Sequence, residues 1–163
     1  MNSMRRQTQK EALGKKSLGE LGELVAIKAL VDHRYSNIRN LNDDRRNFPY
    51  ADLYAEKGKK RIVISVKARN KYQVNGYLNG RYKLGQKAHI HAEEAEREFK
   101  AKAYWMAIPF DDSTYSIYLG TLEELGGNLG IPIKKCIDGL VGKCLVDECR
   151  HFFDFEYFTN RRE

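Results

Sequence analysis

The sequence predicts an α/β domain, a central mixed sheet flanked by helices, with the element order αβββαβ and further elements after it. Three observations carry that expectation. Residues 17–32 and 86–103 space their apolar residues three and four apart, as the buried stripe of a helix requires. Residues 61–67 and 104–110 are short apolar runs rich in β-branched or aromatic residues, as interior strands are. Turn chemistry, KGKK at 57–60 and the two Asn-Gly pairs within 71–85, falls between the expected elements.

The first helix reads SLGELGELVAIKALVD. Ser17 and Glu20 have the spacing of a capping box, and Leu18, Leu21 and Val25 with Leu24, Ile27 and Val31 supply its apolar positions. SNIRNLN, residues 36–42, is a short strand. YADLYAE, residues 50–56, alternates and is the next one. KGKK, 57–60, turns the chain into RIVISVK, 61–67, the central strand, so that the two strands form an antiparallel hairpin. KYQVNGYLNGRYKLG, 71–85, contains two Asn-Gly pairs and reads as a loop or small exposed hairpin. The second helix would bury Ala88, Ala92, Ala95, Phe99 and Ala103. YWMAIPF is a buried strand, DDS turns it into TYSIYLG, and Thr121 caps the short turn LEEL. CRHFFDFEYF, 149–158, reads as one more strand on an edge.

With 163 residues and 42% hydrophobic content, the chain suits one domain over 17–163, a core to 125 and an extension over 126–163, after a basic N-terminal arm, 1–16. No stretch approaches the roughly 18 apolar residues of a membrane helix. The opening MNSMRRQTQKEALGKK lacks the apolar run of a signal peptide. Three cysteines at uneven spacing argue against a disulfide framework and for a reducing cytoplasm. Cys136, Cys144, Cys149 and His151 lack the close pair of a structural zinc site, so the thiols are expected free and buried. His89 and His91 fall on different helix faces and read as surface or DNA-facing residues. No glycine loop of the phosphate-cradling type is present.

The net charge is +7, and Lys57 to Lys87 holds ten lysines and arginines and no acid. Such a field attracts a polyanion, and tyrosines among the cations can stack on exposed bases. Lys57, Lys59, Lys60, Arg61, Arg69, Lys71, Arg81 and Lys83, with Tyr72, Tyr77 and Tyr82, are the candidate nucleic-acid contacts. A solubilising face is the plainer alternative.

In the central strand Ser65 and Lys67 share one face, while Ile62, Ile64 and Val66 point into the other layer. The hairpin brings Asp52 toward Lys67. A carboxylate beside a lysine at the end of a central strand suits phosphodiester chemistry: the acid holds a divalent metal, and the lysine stabilises the extra transition-state charge. PYAD followed by ISVK resembles the PD-(D/E)xK nuclease superfamily. Pro49 and Asp52 match the first half of its motif with two residues between them instead of none. Ser65, Val66 and Lys67 match the second, with serine at the acid position. GELGE, 19–23, resembles the glutamate-bearing first helix of the Holliday-junction-resolvase-like members, which makes Glu23 the helix glutamate. The resemblance spans about residues 17–120. It implies a restriction-endonuclease-like core, a Mg²⁺- or Mn²⁺-dependent endonuclease acting on duplex or branched DNA, and a homodimer by analogy. Family members often place a polar residue where Gln86 opens the second helix; a plain N-terminal helix position is the alternative for it.

Ser65 is the departure, since serine is a poor magnesium ligand. Either the missing acid has moved, to Glu93 or Glu94 on the second helix or to Glu23, or catalysis is lost and a DNA-binding module remains. An RNA-binding protein using the tyrosine-rich loop is a third reading.

Overall fold

The computed structural model describes residues 18–44 and 48–150. Helix α1 covers residues 18–32. It is followed by β1 (Ser36–Asn40), the single helical turn α2 (Leu41–Asp44), β2 (Leu53–Lys57), β3 (Lys60–Asn70) and β4 (Arg81–Lys83). Helix α3 (Ala88–Phe99) then leads to β5 (Lys102–Phe110), β6 (Thr114–Thr121), β7 (Gly130–Pro132), α4 (Ile133–Ile137) and β8 (Lys143–Arg150). Six strands make one sheet in the order β1-β2-β3-β5-β6-β8, and β4 and β7 form a separate ribbon. Among the described residues, only β3 and β5 pair in parallel. That pairing needs a crossover, which α3 provides. The mixed sheet flanked by helices matches the class expected from sequence.

The sheet separates two apolar layers. Ile62, Ile64 and Ala68 of β3 join Val25, Ala26, Ala29 and Leu30 of α1 on one side. Val63, with Trp105 and Ala107 of β5, joins Ala92 and Ala95 of α3 on the other. The unbroken apolar run of β3 follows from burial on both faces. Helix α1 lies very close to the sheet: a Cβ on Gly22 would overlap the Ala68 methyl. The β2–β3 hairpin turns at Gly58, whose φ of 62° is the left-handed region glycine tolerates.

Several expectations need correction. Helix α3 stops at Phe99, where Lys100 takes a left-handed conformation (φ 49°) and its N–H bonds to the Glu96 carbonyl. Ala103 is buried from β5, so its helical spacing from Phe99 was coincidental. Leu24 and Val31 are exposed, because the small residues Ala26 and Ala29 set the buried stripe of α1. The 71–85 segment is part hairpin, with Tyr72 bridging Leu78, and part ribbon through β4. The last strand begins at Lys143 and pairs with β6. The arm 1–16, Ser17, His151 and the strand expected to 158 lie outside the described residues. Thr121 does cap its turn, Oγ1 accepting the Glu124 N–H at 3.2 Å. No described helix is long and apolar enough to cross a membrane.

Candidate active site

Asp52 sits at the start of β2 and is fixed by β3. Its N–H donates to the Ile64 carbonyl, and its Oδ2 accepts the Val66 N–H, each at 2.8 Å. The turn before it is tight. Tyr50 has a φ of 66°, and its hydroxyl donates to the Tyr104 carbonyl at 2.8 Å. A non-glycine residue in that conformation persists where its surroundings hold it. The Asp52 carbonyl in turn accepts the Leu41 N–H at 2.9 Å, which docks α2 against the site.

Docking α2 positions Asn42. Its amide nitrogen donates to Asp52 Oδ1 at 3.4 Å and to Glu23 Oε1 at 3.2 Å. Asn40 donates to the other Glu23 oxygen at 3.3 Å, and its own Oδ1 accepts the Asn42 N–H at 3.0 Å. Two carboxylates from α1 and the start of β2 thus share one amide donor, and β1 and α2 supply the bracket.

The electrostatics follow from this packing. Burial raises the Asp52 carboxyl above its ordinary range, against the opposing pull of the Val66 N–H, the Lys67 charge and Asn42. Burial and then the Asp52 charge raise Glu23, while both asparagines pull it down. Burial lowers the Lys67 ammonium, Asp52 opposes that, and Arg69 adds to it. Two like charges and a half-buried lysine therefore interact in one place, the arrangement that a bound cation relieves.

Lys67 is three residues from the carboxyl end of β3, on the face that α3 covers. Ser65 shares that face but is only 2% exposed and pairs in register with Trp105. It lies inside the layer. Glu93 is exposed and lines a cleft of about 370 Å³ with His89, Glu96, Lys102 and Glu123. Glu94 is exposed on the same helix. Of the three candidate acids, Glu23 is the one that the hydrogen bonds join to Asp52. Among the described residues no group of three or more histidine, cysteine, aspartate or glutamate side chains is placed to hold a metal ion. The donor set here is a carboxylate pair, which suits magnesium, an ion that takes one or two carboxylates and completes its shell with waters and phosphate oxygens.

Asn40 and Asn42 escaped the sequence reading because they fell inside an expected strand. The signal was present: two amides two apart at a strand end, just where an Asx residue can open a helical turn.

The basic residues divide into two groups. Lys57, Lys59, Lys60 and Arg61 surround the β2–β3 turn, and Lys60 is seven residues, about 23 Å of strand, from Lys67. Lys57 lies 5.2 Å from the Tyr35 ring and Lys60 4.7 Å from the Tyr104 ring. Arg69, Lys71, Arg81 and Lys83 follow the site in the chain. Tyr72 and Tyr77 are exposed, but Tyr82 is 1% exposed in the layer beneath α3 and cannot stack on a base. Alternation in β4 explains it: Arg81 and Lys83 face out and the tyrosine between them faces in. His89 and His91 are half-buried rather than surface residues, and the buried Nε2 of His89 has no hydrogen-bond partner. Cys136 is buried on α4, its thiol pushed up to about 12 by burial. Cys144 is exposed and Cys149 half-buried on β8, against the expectation that all three thiols are buried.

This chain shares its fold with an archaeal Holliday junction resolvase. It aligns with Hjc from the hyperthermophile Archaeoglobus fulgidus at a TM-score of 0.51 and 16% sequence identity, covering 72% of this chain and 89% of that one. The restriction-endonuclease-like architecture expected from the sequence is the one Hjc shares with it. No protein-family model and no curated protein matches the sequence.

Proposed function

We propose that this protein is a divalent-metal-dependent DNA endonuclease acting on branched or structured DNA. The observation that carries the reading is the Asn42 amide held between Asp52 and Glu23 beside a half-buried Lys67, on a fold shared with a junction resolvase. Asp52 and Glu23 would hold Mg²⁺ or Mn²⁺. When bound, such an ion polarises a phosphoryl oxygen or lowers the pKa of a water. Asn42 and the Val66 N–H keep the two acids in register, so their repulsion does not splay them. Lys67, partly withdrawn from water, offers positive charge to the developing phosphorane oxygens. Lys71, Arg81 and Lys83 supply phosphate contacts that position the backbone without reading sequence.

A second reading has its own observation. Ser65 is buried at the position where the family pattern carries an acid, which leaves two carboxylates instead of three. On that reading the chain binds DNA and does not cut it. Cleavage of four-way junction, flap and linear DNA in Mg²⁺ or Mn²⁺ separates the two. The nuclease reading expects wild-type cleavage, its loss in Asp52→Asn and Lys67→Met, and retention of most DNA affinity in both, since phosphate contacts elsewhere supply it. No cleavage of any substrate by the wild type, together with cleavage gained by Ser65→Glu, would establish the binding-only reading instead.

A further inference from the structure

Residues 71–79 form a tongue that leaves the sheet just beyond β3, and the catalytic reading uses only Lys71 at its base. The tongue is built rather than loose. The Lys71 N–H is anchored on the Phe110 carbonyl at 2.7 Å, and the Asn79 N–H returns to the Lys71 carbonyl at 2.8 Å. Within it, the Gln73 N–H donates to the Tyr77 carbonyl at 2.8 Å, and the Tyr77 N–H donates to Asn75 Oδ1 at 3.1 Å. Tyr72 and Leu78 bridge across its base.

What the tongue displays is unusual for a solvated loop. Val74 at its tip is fully exposed, and Tyr77 is 74% exposed. Tyr72 is exposed as well, with the Lys71 ammonium 5.6 Å from its ring centre. The nine residues contain no acid. Single exposed apolar residues need no explanation, but a hydrogen-bonded tongue pairing an apolar residue with an aromatic one, within a basic surround, has a specific use. Aromatic rings stack on unpaired bases, and apolar wedges enter opened base steps. Intact duplex hides both targets; a branch point exposes them. Tyr72 follows Lys67 by five residues, on the order of 16 Å of extended chain. The tongue therefore leaves the same end of β3 that carries Lys67.

We infer that the 71–79 tongue is a branch-reading wedge, in which Tyr77 stacks on an unpaired base and Val74 occupies the opened step at a DNA junction. The inference rests on the DNA reading of the site and adds the element that selects branched over linear substrate. Binding is measured by anisotropy for a four-way junction and for linear duplex of the same sequence, with 2-aminopurine beside the branch reporting unstacking. The wild type is expected to prefer the junction by at least about fivefold and to raise 2-aminopurine fluorescence. The double variant Val74→Ala, Tyr77→Ala loses that preference and the fluorescence rise, and Tyr77→Trp keeps both. Ile90→Ala, an exposed apolar change on α3, controls for general loss of surface hydrophobicity and keeps both signals. All three variants change exposed side chains, so circular dichroism should match the wild type. A double variant that keeps the preference overturns the inference, as does a wild type that binds or cuts DNA without junction preference, or one that prefers an RNA hairpin to both DNAs. A wild type that binds no nucleic acid overturns the proposed function along with it.

Discussion

Burial and the Asp52 charge both hold the Glu23 carboxyl above the usual carboxylate range. A carboxyl raised in the folded state favours folding at low pH, and that contribution is lost as pH rises through its folded value. At neutral pH, without divalent ions, ionised Glu23 is therefore destabilising. Glu23→Gln removes the charge but leaves one carbonyl oxygen for the two amides of Asn40 and Asn42, so thermal denaturation in chelator should show a melting temperature only about one or two degrees higher, the modest size reflecting the lost hydrogen bond and a half-buried group still screened by water. The same shifts bound the pH profile of cleavage. Asp52 and Glu23 gain protons above the ordinary carboxylate range, and Lys67 loses its proton below the ordinary lysine range. At subsaturating divalent ion, single-turnover cleavage is therefore expected to fall on the acid side at a higher pH than unperturbed carboxylates would give, because protons compete with the ion for Asp52 and Glu23, and on the alkaline side at a lower pH as Lys67 loses its proton. Asp52, Ser65 and Lys67 were legible from the period of two along a strand. The asparagines were not, because an amide shared by two carboxylates joins residues 23, 42 and 52 through space and leaves no pattern along the chain.

At the scale of elements, the contact between α1 and β3 decides where Glu23 stands. Gly22 faces Ala68 with no room for a side chain between them. Gly22→Val should cost about 1–3 kcal/mol by overpacking and push α1 off the sheet, carrying Glu23 away from Asn42. Denaturant unfolding would show the loss. Ala68→Gly alone is also destabilising, yet in the Gly22→Val background it should recover part of the loss, because the two positions share one space. Equal and additive costs in the double variant would contradict the packing described. The helices and the β2–β3 hairpin could be read from spacing, since each announces its own buried face. The β4–β7 ribbon could not: its strands have three residues each and lie 49 residues apart, from Arg81 to Gly130. Helix α3 was read too long because Phe99 and Ala103 kept a helical interval across a chain reversal at Lys100.

For the whole molecule, an acid-free stretch of sequence became two basic regions at opposite ends of β3, since an eleven-residue strand spans more than a phosphate contact can reach. Charge counting found the sign of the surface and missed its distribution, because the hairpin fold separates what the chain keeps together. Chain topology does the converse at the site. Helix α1, the α2 turn and two strands bring a glutamate, two asparagines, an aspartate and a lysine to one place. The central claim is that Asp52 and Glu23 form one divalent-ion centre there. Calorimetric titration of Mn²⁺ into the wild type and three variants, Asp52→Asn, Glu23→Gln and Glu93→Gln, tests it most directly. The account predicts one ion per chain for the wild type and Glu93→Gln, no measurable binding for Asp52→Asn, and affinity at least about tenfold weaker for Glu23→Gln, in line with the loss of a ligating group. Binding that survives in Asp52→Asn and Glu23→Gln, or that disappears in Glu93→Gln, would contradict it.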